Sequence, residues 1–431
     1  MRFLLATLLG IASVASAADK PNIVLIMADD LGYEALGTYG SASYKTPVLD
    51  RLAATGMKFA HCYSQPLCTP SRVQIMTGRY NQRNYKAFGI LPKTEITFGH
   101  LMQEAGYKTA VAGKWQLHGT NTKLPEDKGT GYLPEEAGFD EYCLWQVTEI
   151  KKNGERYADP FLHRSSDGLK IHPGKYGPDI SVNFINDFME TNKDNPFFVY
   201  FPMALTHDPF VPTPDSDEWA DGDRYRKNNK HFGEMVLYMD KAVGRIVAKL
   251  EELGLRENTL VIFTGDNGTD RDIKRSRMRD GRVIAGNKGH PDDAGTRVPL
   301  IVNWPGVVPE GVVKDDLIDF SDFLPTLVEF GGATLPTDRT IDGRSFADQL
   351  RGKKGHPRDW IYCYYDPIWG NFDKSVFARD RHWKLYDDGR FYDIENDVLE
   401  QNPIKAGALS RKAKKTQESL QAVIDSMEKG D

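Results

Sequence analysis

Four apolar runs in this chain stop abruptly at polar residues, and that register constrains the fold more than any other feature. Asn22–Ala28 is unbroken and ends in Asp29-Asp30. Thr109–Gly113 ends at Lys114, Phe197–Leu205 at Thr206-His207, and Leu260–Thr264 at Gly265-Asp266-Asn267. Short continuous apolar runs read as strands buried on both faces, as in a parallel sheet. Helical patterns lie between them. Thr46-Pro47 opens one that Gly56 closes, and Thr97–Gly106 is another. Asp179–Glu190 keeps Ile180, Phe184, Ile185 and Phe188 on one side, and His231–Leu253 holds helical spacing up to Gly254. Strands alternating with helices to about residue 350 predict an α/β fold, a doubly wound and mostly parallel sheet flanked by helices. In such sheets the chemistry gathers outside the carboxyl ends of the strands. Asp29, Asp30, Lys114, His207, Asp266 and Asn267 are all expected there.

Past a Gly-, Lys- and Pro-rich stretch at Arg351–Arg358 the pattern changes to short strands near 360–365, 375–379, 383–386 and 390–392, then an amphipathic helix over Ala406–Lys429. These predict a smaller C-terminal α+β subdomain over 351–431, beside a main α/β domain over 18–350. Residues 1–17 read as a secretory signal: Arg2, the apolar Phe3–Val14, then Ala15-Ser16-Ala17. That run is short for a bilayer, and no later stretch reads as a membrane helix. The mature chain is therefore expected in a periplasm or outside the cell. A formal net charge of −6 makes nucleic acid an unexpected partner. Four cysteines, Cys62, Cys68, Cys143 and Cys363, exclude a disulfide-dense scaffold and leave their pairing open.

Asp29, Asp30 and Asp266 at one sheet edge repel one another unless something compensates them. With the Asn267 amide they form an oxygen-only donor set, which suits Ca²⁺ or Mg²⁺ better than Zn²⁺. Cys68 is a candidate of another kind. Thr69 suits an N-cap, Pro70 the first helical position and Gly78 the helix end. Cys68 then lies just ahead of a helix N-terminus, where backbone N–H groups, the helix dipole and Arg72 would acidify a thiol. A short helix that merely follows a cysteine explains the same local pattern equally well.

Cys68-Thr69-Pro70-Ser71-Arg72, with Thr77-Gly78-Arg79 after it, resembles the signature of type I sulfatases. The resemblance takes in Asp29-Asp30, Gly113-Lys114-Trp115, Asp266-Asn267, Lys288-Gly289 ahead of Arg297-Val298-Pro299, and Tyr392–Asn396. It implies an alkaline-phosphatase-like fold and hydrolysis of a sulfate ester on a small molecule or saccharide. It also implies that a formylglycine-generating (sulfatase-maturing) enzyme converts Cys68 to formylglycine, whose hydrate attacks sulfur. Asp29, Asp30, Asp266, Asn267 and the modified Cys68 would bind a divalent ion, usually calcium. Arg72 would hold the nucleophile, Lys114 and Lys288 would neutralise the sulfuryl oxygens, and His207 would protonate the leaving group. The chain departs from the family at Gln116, where a histidine is common; His118, two residues on, is the candidate substitute. A phosphonate or phosphate ester hydrolase on the same scaffold, and an inactive homologue that binds sulfated glycans, are the alternative readings. Residues 119–178, Arg271–Arg282 and Tyr364–Asp373 are expected to shape the pocket. Arg275 and Arg277 are candidates for receiving further anionic groups of a saccharide, although a solvated loop explains that charge run as well.

Overall fold

The computed structural model describes residues 20–150 and 155–429, so the signal-peptide reading lies outside the described residues. The strands are β1 (Asn22–Ala28), β2 (Met57–Tyr63), β3 (Lys108–Lys114), β4 (Glu141–Trp145), β5 (Phe161–Arg164), β6 (Gly168–Ile171), β7 (Phe197–Pro202) and β8 (Thr259–Gly265). They continue with a small hairpin, β9 (Ser276–Arg277) and β10 (Val283–Ile284), then β11 (Arg297–Asn303), β12 (Val312–Asp319), β13 (Ile361–Tyr365), β14 (Ser375–Arg379), β15 (Trp383–Tyr386) and β16 (Phe391–Asp393). One ten-stranded sheet runs in the order β12-β2-β11-β8-β1-β7-β3-β4-β5-β6. Its centre, from β8 through β1, β7 and β3 to β4, is parallel.

The unbroken apolar character of β1 follows from burial on both faces. Val24, Ile26 and Ala28 pack on one side with helices Gly177–Thr191 and His231–Glu252. Ile23, Leu25 and Met27 pack on the other with helices Cys68–Thr77, Phe98–Glu104 and Phe323–Gly331. Side chains alternate along a strand, so a single run feeds both cores. Each large aliphatic or aromatic side chain taken out of water contributes about 1.5–3 kcal/mol.

The sequence reading departs from the structure in three places. First, β11 runs antiparallel to its neighbours β2 and β8. Second, β12 carries Lys314, Asp315 and Asp316 in its middle. It is an edge strand, and charge on an edge discourages pairing with another chain. Third, residues 119–178, whose little periodicity predicts no strand, contribute β4, β5 and β6 to the sheet. All four cysteines are buried and unpaired.

The last four strands form a separate antiparallel sheet in the order β13-β14-β15-β16, with helix Arg411–Lys429 packed on it. This sheet is not isolated. Cys363, Tyr365, Phe377 and Tyr386 share a core with Leu67, Cys68 and Phe88. No helix among the described residues is long and apolar enough to cross a membrane.

Candidate active site at the carboxyl ends of the central strands

Sheet register brings the predicted acids together. Ala28 pairs with Gly265, so Asp29 and Asp266 leave adjacent parallel strands side by side. The Asp266 N–H donates to the Ala28 carbonyl (2.8 Å) and the Asp29 N–H to that of Leu205 (2.7 Å). Asp30 turns the chain with φ at +60°, and its N–H donates to Asp266 Oδ1 (3.0 Å). Gly113 has φ at +113°, and a Cβ there would lie 2.1 Å from the Pro202 carbonyl oxygen. Only glycine fits that approach, and it sets Lys114 at the sheet edge.

Cys68 is the first residue of its helix rather than the residue ahead of it, with Leu67 as the flanking position. Thr69 makes no cap, because its hydroxyl accepts the Gly89 N–H (3.1 Å). Cys68 and Arg72 are four residues apart and so share one helix face. The whole helix is buried. Burial raises the pKa of the Cys68 thiol and outweighs the lowering by Lys114 and Lys288. The acidified thiol expected from the local pattern is therefore not what the fold produces.

Each acid has a cation. Lys114 Nζ lies 2.8 Å from Asp29 Oδ2, Arg72 Nη2 3.1 Å from Asp266 Oδ2, and Lys288 Nζ 2.6 Å from Asp30 Oδ2. Arg72 Nη1 also donates to the Lys114 carbonyl (2.9 Å). The carboxylates are thus compensated by side chains, which the sequence reading assigned to a metal alone. Their oxygens are not all used. Asp29 Oδ1 and Asn267 Oδ1 are buried with no hydrogen-bond partner among the described residues. The Asn267 amide nitrogen donates to Asp30 Oδ1 (2.9 Å), which fixes its oxygen outward from that bond. Ligand atoms of Asp29, Cys68 and Asp266 lie within 4.8 Å of one another. Burial, then the Asp29 charge, pushes Asp266 up to about 7. Burial acts the same way on Asp29, but Lys114, His207 and Arg72 hold it below the usual carboxylate range. Orphaned buried oxygens, beside two neighbouring acids of which one is pushed up by burial and by the other's charge, are what a hard divalent cation relieves, so the residues fit one.

His207 follows β7, with Nε2 3.0 Å from Lys288 Nζ and 3.7 Å from Asp30 Oδ2. Its Nδ1 lies 2.7 Å from the Asp208 carbonyl and 2.8 Å from Asp208 Oδ1. Both Asp208 groups are acceptors, so Nδ1 carries the proton, and in the neutral ring Nε2 accepts from Lys288. Gln116, not His118, meets the nucleophile position: its Oε1 is 3.2 Å from Cys68 Sγ. Gln116 holds φ at +56°, costly for a side chain of this kind and a frequent mark of functional sites. His118 is turned away, its Nδ1 2.8 Å from the Gly131 carbonyl, and it does not line the cavity around Cys68.

That cavity has a volume of about 440 Å³. Cys68 and Gln116, in contact with each other, and His207 and Lys288, likewise in contact, all line it. Asn121, Trp145 and Gln146 come from the 119–178 stretch, and Trp369 and Phe372 from the C-terminal part. Arg271 is the only lining residue from the basic loop; Arg275 and Arg277 do not line the cavity, and Arg277 is exposed on the β9–β10 hairpin. Arg156, Asp208 and Asp270 line it too. Asp208 lies three residues past the end of the Phe197–Leu205 run and Asp270 six past the end of Leu260–Thr264, so the same register could have found them. Arg156 had no local signal. A larger cavity of about 680 Å³, beside helix Gly177–Thr191, contains none of the predicted site residues.

Known proteins resemble this chain in sequence and fold. The sulfatase family model covers residues 21–333, and the model for the C-terminal part of N-sulphoglucosamine sulphohydrolase covers 288–429. Arylsulfatase A of Homo sapiens is 33% identical over 86% of this chain and 75% of its own length. An arylsulfatase of Hemicentrotus pulcherrimus is 32% identical over 80% of this chain, which spans 64% of that protein. The crystal structure of Ps i-CgsB in complex with k-i-k-neocarrahexaose superimposes with a TM-score of 0.76 at 25% identity, over 95% of this chain and 92% of that one. The chain belongs to the sulfatase family, the sulfuric ester hydrolases of the alkaline phosphatase superfamily.

Proposed function

We propose that this protein removes sulfate from a sulfated saccharide, in a periplasm or outside the cell. The observation that carries the reading is the buried cluster at the sheet edge, where unpartnered oxygens of Asp29 and Asn267 adjoin Cys68 and three fixed cations. The saccharide class rests on the aromatic lining of the cavity and on the oligosaccharide held by the related Ps i-CgsB structure. Export rests on the residue pattern of positions 1–17.

Asp29, Asp30, Asp266 and Asn267 would hold the divalent ion, calcium or magnesium, which supplies a Lewis acid beside the nucleophile. Cys68 enters as the precursor of formylglycine, made by a sulfatase-maturing enzyme; a neutral buried thiol is itself a poor nucleophile. Arg72, fixed by Asp266 and the Lys114 carbonyl, orients residue 68 from the same helix face. Lys114 and Lys288 neutralise the sulfuryl oxygens, each worth roughly 2–4 kcal/mol when held in place. His207 presents Nε2 to the leaving oxygen with Nδ1–H anchored on Asp208, and in its imidazolium form it gives the Nε2 proton to that oxygen and returns to the neutral ring. Gln116 positions residue 68 by hydrogen bonding and holds no transferable proton.

Mass spectrometry of the Cys68 peptide from active protein tests the central assignment. The expected result is the mass of formylglycine. Quantitative recovery as alkylatable cysteine would falsify this mechanism. Sulfate release from 4-nitrophenyl sulfate, compared with phosphate release from the matching phosphate ester, distinguishes the sulfatase from a phosphoesterase on the same scaffold.

A further inference from the structure

Arg156 lines the cavity around Cys68, half-buried, with no hydrogen bond or ion pair among the described residues; the acid it acts on is Asp208, whose pKa it helps to lower. Its guanidinium carbon lies 4.1 Å from the centroid of the Trp145 ring, and Trp145 lines the same cavity. Its Nε and Nη1 groups are buried and find no acceptor. The cations at the strand ends differ: Arg72, Lys114 and Lys288 each hold an aspartate. Asp208 also lines the cavity, but its carboxylate is engaged by His207 Nδ1 at 2.8 Å. Stacking, not ion pairing, therefore fixes Arg156. Two buried N–H groups without an acceptor are unfavourable, and an incoming oxyanion offsets that.

The rest of the wall suits a sugar. Phe88 and Trp369 stack with centroids 4.4 Å apart at 16°, and both line the cavity. Arg271 stands over the Phe372 ring at 5.2 Å, and its Nη1 lies 3.4 Å from His290 Nε2. It too has no carboxylate partner among the described residues. The cavity thus has a reacting end at Cys68, an aromatic wall and a separate cation.

Resting on the sulfatase reading, we propose that the substrate carries a second anionic group, a carboxylate or a further sulfate, on the sugar bearing the scissile ester or its neighbour, and that Arg156 receives it. The test compares kcat/KM of the full-length, Cys68-modified, calcium-loaded protein on four compounds. These are a hexose monosulfate, the same hexose with a second sulfate, the hexuronate with its ester at the same position, and 4-nitrophenyl sulfate. One or both doubly charged sugars should exceed the monosulfate by roughly 10- to 100-fold; which of them does so tells carboxylate from sulfate. Arg156→Met keeps an unbranched chain on Trp145 and should shrink that ratio to within about threefold of one, with Arg156→Lys intermediate. A wild-type ratio near one overturns the proposal, as does an unchanged ratio in Arg156→Met. If Arg156→Met fails to fold, the wild-type ratio still decides. Hydrolysis of 4-nitrophenyl sulfate without preference among the sugars sinks the second-anion site alone; no hydrolysis of any sulfate ester sinks the sulfatase reading with it.

Discussion

Tyr157 controls His207 through the backbone. Its buried hydroxyl is shared between the carbonyls of Ala204 (2.7 Å) and His207 (2.6 Å). Tyr157→Phe keeps the ring and leaves both carbonyls without that donor, a cost of roughly 1–3 kcal/mol. The strand-end turn then loses its tether, and kcat should fall on the order of 10-fold while KM stays nearly constant. Steady-state kinetics on 4-nitrophenyl sulfate give the answer; a raised KM at constant kcat would assign Tyr157 to substrate binding. The metal cluster yields a second expectation. Calcium at about 100 times its Kd should stabilise the protein by about 2.7 kcal/mol, since the unfolded chain has no such site. Asn267→Ala removes one orphaned oxygen and should abolish most of that increment. The quantity to compare is the calcium-dependent part of the unfolding free energy, because the amide also bonds Asp30 and Gly268. An undiminished increment would place the ion elsewhere.

The elements show how far a sequence discloses a site. The ends of β1, β3 and β8 were readable because a strand buried on both faces must be apolar throughout, so its first charged residue marks the sheet edge. The helix at Cys68 was readable to within a residue; its apparent cap, Thr69, is bonded to Gly89 across a long sequence separation. Strand β12 was hidden because an edge strand tolerates charge, and Arg156 because its meaning depends on Trp145 and on the absence of a partner. The short helical turn Tyr33–Ala35 gives a case where sequence is equally mute. Glu34 on it is fully buried, with Oε1 accepting from Thr269 (2.5 Å) and Oε2 unpartnered. Burial pushes its pKa up to about 7. The folded state therefore binds the proton more tightly than the unfolded chain. The stabilisation is full below the unfolded value near 4.5 and is lost as pH rises through 7, by about 3 kcal/mol. Glu34→Gln should flatten that slope. Urea unfolding at pH 5 and pH 8 measures it, and parallel pH dependence in both proteins would show that Glu34 is not the titrating group. The Thr269 carbonyl accepts the Lys288 N–H (3.1 Å), so this turn also supports the cation beside His207.

The C-terminal sheet and the main sheet both contribute to the candidate site. Residues 361–393 place Trp369 and Phe372 on the cavity wall and share a core with Cys68. Buried ion pairs join the two parts. Arg379 meets Asp293, and Arg358 holds both oxygens of Asp322 at 2.8 Å from Nε, while its Nη1 donates to the Tyr80 hydroxyl (3.0 Å). Asp322 in turn accepts the backbone N–H groups of Asp319 (2.9 Å) and Arg344 (2.7 Å). Arg358→Met would leave that carboxylate buried without its cation, a cost of roughly 3–5 kcal/mol. If the two sheets form one cooperative unit, the loss is felt throughout. Tryptophan fluorescence, with Trp369 and Trp383 reporting on the C-terminal part, and far-ultraviolet circular dichroism, dominated by the main domain, should then shift together to lower denaturant. Two separated transitions would instead show a C-terminal unit that unfolds alone. In that case activity should disappear with the first transition, since the cavity loses its aromatic wall while the cluster at the strand ends remains intact.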